Sequence, residues 1–304
     1  MRIRRECRIQ EINSPDKFVL IGHWLFTKLF FPRSKPRSGS VWTHVNGTAC
    51  LEFSPEADDA LVECRDEYLG VPYGPKARLL LLHVLALAVL RDSSRVKIPV
   101  GMKNFRKFLG FPHNDGITNR MIRAQLARLC SGRMYLSFPD PRKRARWDVE
   151  FSGRIFEDRP SDLFGSDGRG FPQELVVTKE FFALVKEGWF AFQRKHLVAL
   201  RGNSLAIDLY LWLVYRLVQL EGRGMNRFLR WKLVHEDFKG GYADSGDFAR
   251  RFREALTLIV ETDEEKRLEG VLDVHTRKGV RIENGQFPPA LFSREELSSQ
   301  ASVI

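Results

Sequence analysis

Two groups of cationic side chains lie close together in the sequence, and both have chemistry suited to an anion. From Arg133 to Arg154 the chain reads RMYLSFPDPRKRARWDVEFSGR, two alternating strand-like runs joined by a turn with Arg142, Lys143, Arg144 and Arg146. Just upstream, Ile117, Met121, Ile122, Leu126 and Leu129 share one apolar face of a helix over 117–130. That leaves Thr118, Asn119, Arg120, Arg123 and Arg128 exposed or partly so. A guanidinium is a planar fork of donors that fits guanine O6 and N7, and an Asn amide fits adenine. Cations at a hairpin tip would instead hold phosphates, which gives affinity without sequence. A basic helix face on its own is often only solvated surface. Here it adjoins a cationic turn, and residues 95–155 hold fourteen Lys/Arg against four Asp/Glu, ten of the eleven net positive charges. The combination selects a nucleic-acid-binding face.

The elements that must position these residues follow from periodicity. A long apolar helix (Ala77–Arg91), a short strand (Val96–Val100), a short helix (Met102–Leu109) and the amphipathic helix precede the charged hairpin. Three helices and a hairpin wing, in that order, predict a winged-helix domain, whose third helix enters the major groove while the wing reaches the backbone or minor groove. The order recurs from Asn203, and an ungapped shift of 130 residues superposes the two stretches. Leu79 falls on Leu209, Phe108 on Phe238, Gly110 on Gly240, Gly116 on Gly246, Ile122 on Phe252, Arg120 on Arg250 and Arg123 on Arg253. Helical periodicity alone brings apolar pairs into coincidence, so the glycine and arginine pairs carry the case for duplication. The second copy offers Arg250, Arg251 and Arg253 on its helix and Arg277, Lys278 and Arg281 at its hairpin. Its residues 244–283 hold eight Lys/Arg against ten Asp/Glu, so it is expected to bind DNA less tightly, or to contact protein.

The predicted fold class is α+β, mainly helical: two tandem winged-helix domains with an N-terminal strand-containing extension. Residues 1–69 form the arm and extension, in which Asn46-Gly47 between alternating apolar residues marks a hairpin whose strands pack against the first domain, and FPRSKPRSG reads as a mobile basic arm. The domains span 70–156 and 173–290, joined by a Gly-, Asp- and Pro-rich linker at 157–172 and followed by a tail at 291–304. Gly70, Pro72, Tyr73 and Gly74 read as an architectural turn into the first buried helix.

Composition narrows the rest. A sequence pI near 9.7 favours an anionic partner, and four separated cysteines fit reduced intracellular thiols better than a disulfide scaffold. The longest apolar runs, Leu79–Leu90 and Leu205–Leu220, are short or interrupted by charge, so a cytoplasmic protein without membrane partners is expected. The seven histidines form neither a His-x-His pair nor HExxH, and GYADSG lacks the Lys-Ser/Thr of a phosphate loop. The sequence therefore predicts a non-enzyme with no cofactor and no metal.

The stretch GVPYGPKARLLLLHVLALAV, at 70–89, resembles the signature that opens the C-terminal region of plasmid-encoded RepA-type replication initiators, and FRKFLGF, IRAQLARL and SLAIDLYLWLVYRL extend the likeness over most of residues 70–240. The resemblance implies a protein that binds repeated duplex sites (iterons) at a plasmid origin, helps open the duplex, and brings in host initiator and helicase proteins. It also implies repression of its own promoter and a homodimer. Where the family shows a Thr-Gly-Gly turn before the third helix, this chain has PHNDG at 112–116. A transcriptional repressor would use the same helix and wing, and that alternative stays open on the residues alone.

Overall fold

Chain order sets out the elements of a mixed α and β structure. The structure, a computed structural model, describes residues 19–36, 41–57, 70–139, 148–164, 170–186, 189–220, 227–230, 234–236, 238, 245–262, 272–275 and 279–282. It opens with β1 (Val19–His23) and a 3-10 turn (Trp24–Thr27), then a hairpin of β2 (Trp42–Asn46) and β3 (Ala49–Pro55). Next come α1 (Gly74–Leu90), β4 (Arg95–Lys97), α2 (Gly101–Phe108) and α3 (Gly116–Ser131). A second hairpin, β5 (Gly132–Pro139) and β6 (Asp148–Arg154), leads to α4 (Pro160–Phe164), β7 (Glu174–Val176) and α5 (Lys179–Val185). The remainder holds β8 (Trp189–Gln193), α6 (Arg194–Ala199), α7 (Ser204–Leu220), β9 (Arg227–Arg230), α8 (Ser245–Glu261), β10 (Leu272–His275) and β11 (Gly279–Ile282). Two compact units result: Leu29–Glu187, and Met1–Lys28 with Gly188–Ile304. Among the described residues no helix is long and apolar enough to cross a membrane.

In the unit Leu29–Glu187, α1 is apolar on every side, so it can only sit inside a core. Leu79, Leu80, Leu81, Leu82, Val84 and Leu85 are all buried, each contributing about 1.5–3 kcal/mol if wholly removed from water. Pro75 in the first turn of α1 needs no amide partner there. Gly74 ahead of it takes φ +74°, which disfavours any side chain, and donates its amide to the Pro32 carbonyl at 2.9 Å. Buried Arg78 donates to the carbonyls of Phe31, Pro32 and Gly74. Those bonds anchor the start of the expected arm: Phe31 and Pro32 are buried there, because their carbonyls are the acceptors Arg78 needs, while Ser34 and Lys35 are exposed. Residues 37–40 lie outside the described part.

The two hairpins of this unit form one antiparallel sheet in the order β2-β3-β5-β6. Asn46 pairs with Ala49, leaving Gly47 and Thr48 as the two-residue loop, and Gly47 at φ +60° fits the first central position of a type II′ turn. The extension is thus continuous with the expected wing, Leu51 opposite Leu136 and Phe53 opposite Met134. Strand β4 pairs with β7. The stretch expected to link two domains falls within this unit: its Leu163 and Phe164 are buried, and Phe156, just before it, bridges Val177, just beyond it. Glu157, Asp162 and Gly170 of that stretch are exposed, so the burial is confined to its apolar side chains among the described residues.

In the other unit β1 pairs with β8, and β9, β10 and β11 form a sheet in the order β10-β11-β9. The 130-residue shift carries α1 onto α7 at both ends. It also carries Phe108, which packs on His83 of α1 with ring centroids 5.0 Å apart, onto Phe238, which packs on Trp212 of α7 at 5.7 Å. One difference is plain, since β4 pairs with β7 whereas β9 pairs with the hairpin strand β11.

Candidate nucleic-acid interface

Helix α3 owes its start to the turn in front of it. Gly110, at φ +90°, ends α2, and Phe111 donates its amide back to the Arg106 carbonyl at 3.0 Å. The Arg106 side chain, 1 % exposed, turns inward and donates to the carbonyls of Phe111, at 2.7 Å, and His113. At the end of the turn Asp115 caps α3, accepting the Thr118 amide at 2.5 Å. Bonds from Thr118 hold the Asp115 carboxyl below the usual carboxylate range, and the charges of Lys76 and Arg106 add to the effect. Half-burial lowers the Lys76 ammonium, which lies 5.2 Å from the Phe111 ring centre. Nothing in the sequence distinguishes Arg106 from its exposed neighbour Lys107; the signal for Asp115, which the sequence reading missed, is a capping residue type two places before the apolar periodic run begins at Ile117.

The five polar residues expected on the reading face divide into three kinds. Arg120 is exposed. Thr118 and Asn119 are half-buried, and the Asn119 amide donates to Asn114 Oδ1 at 3.2 Å. Arg123 is half-buried, donating to the Gly170 carbonyl at 2.6 Å with its guanidinium 5.8 Å from the rings of both Phe164 and Phe171. Arg128 is a correction: it is 3 % exposed and lies 4.8 Å from the Tyr73 ring centre, so its charge is spent on the fold. Gln125, also buried, accepts the Tyr73 amide at 2.8 Å. Tyr73 therefore fixes the inner face of α3, which gives the GVPYG turn a physical task. Ile117, expected on the apolar face, is instead 63 % exposed in the first turn.

The chain passes from α3 into β5 at Gly132 without a loop, so helix and hairpin are held as one piece. A Cβ on Gly132 would meet the Phe53 ring at 2.2 Å. The tip residues Arg142, Lys143, Arg144 and Arg146 lie outside the described residues. Cys130 is buried, and burial pushes its thiol well up. Among the described residues no group of three or more His, Cys, Asp or Glu could hold a metal ion.

On α8, Arg250 and Arg251 are engaged within their own helix. Arg250 pairs with Asp247 at 2.5 Å and Glu254 at 2.6 Å, bonds that raise the affinity of its guanidinium for its proton. Arg251 lies 3.9 Å from Asp247 and 3.8 Å from Glu254, and Arg253 is half-buried. The partners are thus the acids one turn away, at spacings that face each other on a helix. Arg281 stands on β11 opposite Asp273, and Arg277 and Lys278 lie outside the described residues.

Comparisons with known proteins add one family and one fold likeness. A family model described as plasmid encoded RepA protein matches residues 71–232. None of the curated proteins matches the chain. A crystal structure of domains 2 and 3 of RctB, as the selenomethionine derivative, is 14 % identical, with a TM-score of 0.48 over 86 % of this chain and 96 % of that one. A second structure of RctB domains 2–3 gives 13 % identity and a TM-score of 0.47 over 85 % and 96 %.

Proposed function

The chain belongs to the plasmid-encoded RepA protein family, and from that membership we propose that it is a replication initiator that binds repeated duplex sites (iterons) at a plasmid origin. The order from α1 to β6 is read as a winged-helix domain, with α3 as the major-groove helix and the β5–β6 tip on the phosphate backbone. The observation that carries this reading is the surface of α3. It has no acidic residue, it exposes Arg120, and it runs straight into a hairpin within the stretch that holds nearly all the net positive charge. The second winged-helix domain expected over 173–290 is read as a weaker duplex contact or a protein contact. Origin opening, recruitment of host initiator and helicase proteins, autorepression as a homodimer, and the lack of any catalytic step, cofactor or metal complete the proposal.

A transcriptional repressor without initiator activity is the second reading. The ion pairs that occupy Arg250 and Arg251 favour it, because they leave α3 as the better equipped helix, and a repressor needs only one such helix per chain. Permanganate footprinting on supercoiled plasmid with the chain's own flanking repeats separates the two. Unpaired thymines beside the bound repeats, seen with the protein and absent without it, are expected for an initiator. Tight specific binding that leaves every thymine unreactive, with host proteins present, would fit the repressor.

A further inference from the structure

Ile117 is a large β-branched side chain left 63 % exposed on a helix whose other aliphatic residues turn inward. Single exposed aliphatics such as Val41, Val45, Val100 and Val260 are ordinary on a protein surface. Ile117 differs in its place: it stands three residues before Arg120, so the two share one outward stripe of α3. Gly116 ahead of it has nothing within 4 Å of where a Cβ would stand, so that end of the stripe is open.

The internal copy shows what else this position can do. Under the 130-residue shift Gly116-Ile117 falls on Gly246-Asp247, and Arg120 on Arg250. Asp247 is half of the 2.5 Å ion pair with Arg250 and lends α8 a negative charge where a duplex would present phosphates. The same position in α3 carries no charge and no hydrogen-bonding group. Its surface fits the one apolar group on the major-groove floor, the thymine C5-methyl.

We infer that Ile117 is a specificity-determining residue that meets a thymine methyl beside the base pair addressed by Arg120. This rests on the reading of α3 as the major-groove helix. The probe is the tightest duplex that the full chain recovers from a randomised pool, resynthesised with each thymine in turn replaced by deoxyuridine, which removes only the methyl. Fluorescence anisotropy is expected to show one or two positions where the replacement weakens the wild-type chain about fourfold, the weight of one buried methyl-sized group. Ile117→Ala, expected to fold normally because the side chain is exposed, should bind the thymine and deoxyuridine duplexes equally. Indifference of the wild type to every replacement, or unchanged sensitivity in Ile117→Ala, overturns the inference and leaves α3 as the reading helix. If the pool yields no preferred duplex, the reading of α3 fails, and the inference with it.

Discussion

Arginine is the residue type that sequence patterns place least well here, because its charge sits on a long apolar stem that can be laid into a core. Arg120 and Arg128 differ by two helical turns and have opposite tasks. Arg120→Ala is expected to weaken binding to the specific duplex by about 1–3 kcal/mol with little change on scrambled duplex. Arg128→Ala should instead lower folding stability by about 2 kcal/mol, since it removes a desolvated cation from the Tyr73 ring. Urea unfolding and anisotropy, run on both variants, separate the two outcomes. Asp115 gives a pH-dependent counterpart. Its folded carboxyl lies below the ordinary value, so its contribution is present above about pH 4 and is lost as pH falls through the depressed folded value. Asp115→Asn keeps a cap that can accept the Thr118 amide, and should flatten the acid limb of the urea-midpoint profile. An unchanged limb would show that the carboxylate charge does not hold the turn.

Helices α1, α2 and α3 and the β5–β6 hairpin were legible to within a few residues, because apolar periods of helix and strand differ and nothing in the tertiary structure overrides them. The packing of the β2–β3 strands on this domain was expected too, but the specific pairing of β3 with β5 was not, since no local signal records a partner so far along the chain. Nor was the packing of Leu163 and Phe164, two apolar residues in a stretch whose composition speaks only for turns. At the reading face, the exposure of Arg120 was read directly and the capping role of Asp115 was missed, whereas buried Arg106 and Arg128 were hidden by their polarity. The junction of α3 and β5 offers a test of how rigidly helix and hairpin are joined. Gly132→Ala puts a methyl group where the Phe53 ring lies, and is expected to destabilise the protein by about 1–3 kcal/mol. Its specific binding should fall along with stability, and full retention of both would mean that the ring has room to move.

Charge over the full chain is strongly uneven, and that distribution sets how binding should depend on salt. Ten of the eleven net charges lie in 95–155, so nonspecific affinity should be traceable to that stretch. Neutralising Arg142, Lys143 and Arg144 together should weaken binding to any duplex alike and flatten the slope of log affinity against log salt by up to ~3 units. The same change at Arg277 and Lys278 should do less, since 244–283 carries more acids than bases. The most direct measurement is fluorescence anisotropy of the full chain on a duplex bearing the direct repeats beside its own gene, against a scrambled duplex at one stated salt concentration. A preference of ~10³-fold or more is the expected result for a protein that reads its site through α3. Equal, salt-sensitive binding to both duplexes would contradict it, leaving a basic nucleic-acid binder without a site of its own.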